Sequence, residues 1–218
     1  MTEYVRYVEQ TPMPVGPVTL EGERVRLVSM TLDHIEPLFK AADFPEIWEH
    51  TTTQSMGTIA DITAYVEVAL SEQAEGRTIP FVTTDRVTGE IIGATRFADI
   101  SVMDRNLAIG WTWLRPDRQR TGVNGEAKAL MLQHAFDTWG ALRVEIRTDV
   151  RNTKSRAAIE RIGGTYEGTL RQNMIVGDGR VRNTAYYSVI DTDWRDPSHR
   201  AYANALTYGI IPKPAPVV

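Results

Sequence analysis

The stretch Arg115-Pro116-Asp117-Arg118-Gln119-Arg120-Thr121-Gly122-Val123-Asn124-Gly125-Glu126 decides the reading of this chain. Before it, Leu107 to Leu114 is β-rich, and Pro116, which cannot donate to a ladder, marks its end. After it, Ala129, Leu132, Phe136 and Trp139 share one helical stripe, widened by Ala127, Met131 and Ala135. Gly140 suits the position that closes such a helix. So a strand ends, a loop carrying Arg118, Arg120, Gly122 and Gly125 follows, and a helix starts. A helix N-terminus offers unpaired N–H groups and partial positive charge. Glycine lets the backbone approach a ligand, and arginine adds charge-assisted bonds. Together these features suit a diphosphate. A plain tight turn with solvated arginines has the same local pattern.

Outward from that loop, strand and helix patterns alternate. Arg24 to Val28 reads as a first strand, and Thr31 as the N-cap of a helix through Ala41. Thr58-Ile59-Ala60-Asp61 has capping-box spacing ahead of a helix to about Glu75. Phe81 to Thr83 and Ile91 to Phe97 flank the turn cluster Asp85 to Gly89, as a hairpin does. Leu142 to Thr148 alternates as a half-buried strand, and Ser155 to Ile162 is a helix stopped by Gly163-Gly164. Thr165 to Val176 and Val181 to Ile190 form a last hairpin around Gly177-Asp178-Gly179. The string is β-α-α-β-β-β-α-β-α-β-β, an α/β (α+β) chain with a mixed sheet flanked by helices. Residues 1–17 read as an arm interrupted by Pro12, Pro14 and Pro17, and residues 196–218 as a Pro-rich tail in which Arg200 to Tyr208 could be helical. Residues 18–195 are the domain between them.

Composition narrows the function. The 218 residues suffice for one domain, and 42% hydrophobic with 24% charged residues is ordinary globular composition. A net charge of -4 argues against a nucleic-acid partner. With no cysteine, there is no disulfide, thiolate nucleophile or cysteine metal site. His34, His50, His134 and His199 show no ligand spacing, so no metal is expected. The N-terminus lacks a signal pattern and no apolar run spans a membrane, so a cytoplasmic protein with no membrane partner is expected.

Gln119-Arg120-Thr121-Gly122-Val123-Asn124 resembles the Q/R-x-x-G-x-G/A signature of the GCN5-related N-acetyltransferase (GNAT) superfamily. Ile109-Gly110-Trp111-Thr112-Trp113-Leu114, the run from Arg151-Asn152-Thr153-Lys154-Ser155 to Gly163, Glu167-Gly168-Thr169-Leu170-Arg171 and Tyr186-Tyr187-Ser188 resemble its RimJ/RimL-type branch. The resemblance covers roughly residues 18 to 195. It implies a mostly antiparallel sheet of about six to seven strands that splays between its two central strands, with Gly110 as a candidate bulge. It also implies acetyl-CoA as acyl donor. Its diphosphate would lie on the amides of Gln119, Arg120, Thr121, Gly122, Val123, Asn124 and Gly125, and its pantetheine arm beside Trp111, Trp113 and Leu114. Asn152 and Lys154 would reach the cofactor arm, and Ser155 would also protonate the leaving thiolate. Asn152 as a simple N-cap and Ser155 as a plain first-turn residue are the alternatives.

Two positions depart from the family. Asn124 stands at the last glycine-or-alanine of the signature, and Ala108 where relatives often carry a carboxylate. The general base is thus unassigned; Glu145, Asp99, Asp104, Glu46 or a water chain are open, and Glu145 also reads as a surface ion pair. Trp48 falls where this branch forms the acceptor wall. The reading is an N-acetyltransferase acting by direct attack on acetyl-CoA by a small-molecule or peptide amine, with no covalent acyl-enzyme. A non-catalytic acyl-CoA-binding module is the alternative. Apolar residues in the arms predict a homodimer with an arm at its interface.

Overall fold

Alternation of apolar residues builds the sheet first. In β3 (Ile79–Asp85), Phe81 packs into one core and its neighbour Val82 into the other, as a period of two requires. The computed structural model describes residues 6–49, 51 and 56–197. The other strands are β1 (Leu20–Glu21), β2 (Val25–Ser29), β4 (Ile91–Ser101), β5 (Asn106–Leu114), β6 (Arg143–Asp149), β7 (Thr165–Ile175) and β8 (Val181–Ile190). They form one eight-stranded sheet in the order β1-β2-β3-β4-β5-β6-β8-β7. Every neighbouring pair is antiparallel except the central β5–β6, which is parallel. The sheet exceeds the six or seven strands expected because β1 is a two-residue bridge. A segment that short carries no periodicity.

Helices α1 (Ile35–Ala42) and α2 (Ile59–Ala74) cover one face. Leu38, Ile62 and Val66 meet Val82, Ala94 and Trp113 there. Thr58 and Asp61 exchange the expected capping bonds at the start of α2, at 3.2 and 2.9 Å. The helix expected from Thr31 begins instead as a 3-10 turn over Leu32–His34. Pro37 has no N–H to return to the Asp33 carbonyl, so the α-helical ladder cannot start there.

The opposite face carries α3 (Val123–Gln133) and α4 (Thr153–Arg161). Met131, Leu132 and Ile159 pack with Leu27, Phe97, Ile109, Ile146 and Tyr187. Full burial of such a side chain is worth about 1.5–3 kcal/mol, so this face dominates the core. α3 continues as a π turn over His134–Thr138, and Gly140 closes it with φ 67°. A short α5 (Asp191–Arg195) brings Trp194 against Phe136 at 5.5 Å.

Within the expected N-terminal arm, the described residues 6–17 lie against their own domain. Met13 is buried in the core and its N–H bonds Val102 O at 3.0 Å. Arg6 grips Asp191 through two bonds of 2.7 and 2.6 Å. Residues 198–218 of the expected tail, with its helix from Arg200, lie outside the described residues. Among the described residues no helix is long and apolar enough to cross a membrane.

Candidate active site

The parallel ladder between β5 and β6 runs from Asn106↔Arg143 to Ile109↔Ile146 and stops. Beyond it, Gly110–Leu114 and Arg147–Asp149 continue without each other, leaving a slot in the middle of the sheet. The cause is a bulge in β5. Arg96 pairs with Gly110 and Ala94 with Trp113, so Trp111 and Thr112 together oppose Thr95. The sequence pointed to Gly110, but Gly110 pairs regularly and Trp111 takes the left-handed backbone, with φ 49°. That conformation costs a non-glycine residue roughly 1–2 kcal/mol. Side chains repay it. The Arg96 guanidinium lies over the Trp111 ring at 4.9 Å and the Tyr65 ring at 5.1 Å, and Glu72 accepts from it at 3.0 Å.

The expected loop forms one wall of the slot. Gly122 is the N-cap of α3, with φ 91° and no side-chain capping bond. The amides of Val123, Asn124 and Gly125 therefore begin a helix with no intrahelical acceptor, an array that suits an anion. Arg120, with φ 62°, is exposed. Arg118 and Arg115 are not spare charges. Arg118 pairs with Asp85 at 3.1 Å, and Arg115 with Glu90 at 2.5 Å and Asp117 at 2.7 Å. Gln119 donates to Leu114 O at 3.2 Å and Thr121 to Arg118 O at 2.8 Å, which folds the loop on itself. Asn124 turns its amide oxygen inward, where it has no hydrogen-bond partner among the described residues. The side chains of Trp113, Leu114 and Val123 are core, so only their backbone can meet a ligand.

Three residues behind this wall were missed from the sequence. Glu126 is fully buried and accepts the N–H groups of Glu23, Arg24 and Val25 at 2.8 to 3.0 Å. It fastens the β1–β2 turn to the first turn of α3. Gly22 is required there, because a Cβ would lie 2.6 Å from the Glu126 carboxyl carbon. Arg24 stands over Gly122, its Nε 3.6 Å from where a Cβ would be. Lys128 is 5% exposed and donates to Thr95 Oγ1 at 2.8 Å and Thr112 Oγ1 at 2.6 Å. Burial pushes its amine down to about 7. A signal was present: Ala127 and Ala129 to Leu132 leave α3 little room for a solvated face, so charges inside that run need internal partners.

The other wall is the turn from β6 into α4. Burial opposes the charge of Asp149, but the Arg151 N–H at 2.9 Å and Arg180 at 2.8 Å hold its carboxyl below the usual range. Asp149, the last residue of β6, thus holds this turn together. Asn152 caps α4, its Oδ1 accepting the Ser155 N–H at 2.9 Å. The half-buried Ser155 hydroxyl has no hydrogen-bond partner among the described residues, and Lys154 is exposed.

On the face away from α3, a polar ledge adjoins the slot. Glu145 sits in register with Ala108 across the β5–β6 ladder. It is bound by Arg147 and by Arg143 at 3.3 Å. Arg147 also takes Asp99 at 2.6 Å, and Arg143 takes Glu167 at 2.5 Å. The Arg143 bond, with help from Ser188, holds the Glu167 carboxyl at about 2. Asp104 bonds Ser101 in the β4–β5 turn, at the closed end of the ladder. Trp48 is buried, donating to Ala42 O at 3.1 Å with its ring 5.4 Å from Trp113. It therefore backs the β5 wall from the α1–α2 side.

The Acetyltransferase (GNAT) domain family matches residues 24–165. YdaF of Bacillus subtilis, whose name assigns it provisionally to ribosomal N-acetylation, is 30% identical over 106 residues, covering 49% of this chain and 57% of YdaF. A GCN5-related N-acetyltransferase from Brucella melitensis is 30% identical with a TM-score of 0.82, covering 90% of this chain and 89% of that one. RimJ of Mycobacterium smegmatis, solved with CoA-disulfide, is 22% identical with a TM-score of 0.75, covering 88% of this chain and 96% of RimJ, a likeness of fold.

Proposed function

Because the chain belongs to the GNAT family of acetyl-CoA-dependent N-acetyltransferases, we propose that it acetylates a primary amine, a protein N-terminus or a small molecule, by direct attack within a ternary complex. The observation that carries this reading is the slot where β5 leaves β6, flanked by the uncapped N-terminus of α3. The CoA diphosphate meets the amides of Val123, Asn124 and Gly125 with Arg120 beside them, and the pantetheine arm lies along the unpaired edge of Trp111–Leu114. That RimJ, a protein of like fold, was solved with CoA-disulfide supports a CoA-type ligand for this fold.

In the reaction the neutral amine nitrogen attacks the thioester carbonyl carbon, the C–S bond breaks, and the amine proton leaves to a base. Ser155 donates its hydroxyl proton to the departing sulfur and takes back a proton from the protonated base through water. It sits in the first turn of α4, where the helix dipole also favours an anion. Glu145 fits the base through a water better than by contact, since two arginines already occupy its carboxylate. Lys154 and Asn152 flank the arm from α4, and Trp48 acts on the acceptor side through Trp113. Tyr7 and Val8, exposed on the docked arm, are the apolar residues that motivate the homodimer, and sedimentation giving a monomer at micromolar concentration would remove it.

The test is release of CoA thiol from acetyl-CoA in the presence of a panel of N-terminal peptides, amino acids and aminated antibiotics. Turnover with one class names the acceptor. A second reading, a binding module without turnover, is favoured by Ala108 and by the ion-paired state of Glu145. CoA binding with no thiol release from any amine selects it.

A further inference from the structure

Lys128 has no carboxylate within ion-pair distance among the described residues, although it lies inside the protein. A buried amine without a counter-charge costs stability, so an apolar side chain of equal length would serve the fold better. What the amine does hold is the bulge. It donates to Thr95 and Thr112, whose hydroxyls also meet each other at 2.8 Å. Both threonines reach back to Gly110 O, at 3.3 and 3.4 Å, the carbonyl just before the left-handed Trp111. Where the amine donates to both hydroxyls, each hydroxyl sends its own proton elsewhere. Thr112 is an exposed residue on the stretch of β5 that has no β6 partner, so it borders the slot while its hydroxyl turns inward to Thr95 and Lys128. Lys128 also stands six residues from the Gly122 N-cap, about 9 Å along the axis of α3 at 1.5 Å per residue. One side chain thus links the helix that offers the anion site to the strand that offers the backbone edge.

We infer that Lys128 is a positioning residue for the acyl-CoA arm: through Thr95 and Thr112 it locks the β5 bulge in register with α3 and so fixes the unpaired backbone edge of β5 that borders the slot. The inference rests on the acetyl-CoA reading and deepens it. It acts through Thr112, so the two side chains form one unit.

The experiment compares wild type, Lys128→Met, Thr112→Val and the double variant by calorimetric titration of CoA, thiol-release kinetics and thermal unfolding. Lys128→Met should unfold at or above the wild-type temperature while CoA affinity or kcat/KM for acetyl-CoA falls by about tenfold or more. Thr112→Val should reproduce that loss, and the double variant should lose no more than the worse single one, as coupled residues do. A merely structural lysine gives the reverse: a lower unfolding temperature with binding and kcat/KM within twofold of wild type in the folded protein. That result overturns the inference, as does a Thr112→Val variant that binds like wild type. Should Lys128→Met not fold, Thr112→Val alone decides. Failure of wild type to bind CoA ends both the inference and the acetyl-CoA reading; wild-type binding with both variants unaffected ends the inference only.

Discussion

Thr121 is the position where one charge tests the anion cradle without disturbing the backbone. Gly122 is unsuitable because its φ of 91° strains any side chain, whereas Thr121 has no such constraint and spends its hydroxyl only on Arg118 O. In Thr121→Glu the carboxylate faces the same amides as the diphosphate. Charge-assisted bonds are worth about 1.5–3 kcal/mol each, so weakening one or two should reduce CoA affinity roughly 10- to 100-fold. Calorimetric titration reads it, with circular dichroism confirming the fold; unchanged affinity would reduce the loop to a turn. Ser155→Ala tests the other wall. Its hydroxyl makes no internal bond, so stability and CoA affinity should hold while kcat falls by about 10²-fold. A wild-type kcat would remove Ser155 from the chemistry. Both residues were legible because each lies in a family motif at an element boundary. Lys128 and Arg24 were not, since their importance comes from partners sixteen or more residues away, which no local pattern encodes.

At the scale of elements, the parts that announced themselves were those with local chemistry. The Thr58–Asp61 box set the start of α2, Gly140 closed the helix after the loop, and Gly179, with φ 81°, turned the last hairpin. The parts that stayed hidden are set by packing: the two-residue β1, the π turn after α3, and the bulge moved from Gly110 to Trp111. The joint between β1, β2 and α3 is of the second kind, and Glu126 makes it. Three backbone N–H groups converge on one buried carboxylate. Glu126→Gln is nearly isosteric, yet it replaces an acceptor oxygen by an N–H₂ that faces donors. Leaving such a group unsatisfied costs about 1–3 kcal/mol. Urea unfolding should show that loss, and CoA affinity should fall as well, because the same carboxylate seats the first turn of α3. A variant as stable as wild type would mean the turn is held by its other contacts.

Across the whole molecule, the N-terminal arm closes the fold from outside. Residues 6–17 run over the β4–β5 turn, bury Met13 in the α3-side core and reach Asp191 at the start of α5. The proline pattern read as an arm with no stated place on the domain, because prolines report what a backbone cannot do and are silent about where it lies. Removing residues 1–17 uncovers the Met13 site, a loss of about 1.5–3 kcal/mol from that side chain alone. For a chain of this size each kcal/mol moves the midpoint by roughly 2–4 °C, so the truncated protein should melt at least 3 °C lower. Part of the deficit carries a pH signature. Arg6, the first cause, and then Arg195 hold the Asp191 carboxyl below its ordinary 3.8. A carboxyl depressed in the folded state adds stability above its unfolded pKa and loses it as pH falls through the folded one. The gap between full-length and truncated protein should therefore be widest above about pH 4 and narrow toward acid, leaving the Met13 share behind. Thermal melts of both proteins at several pH values measure it. A gap that stays constant with pH would assign the arm's contribution to apolar burial alone, and no gap at all would mean that the arm rests on the domain without stabilising it.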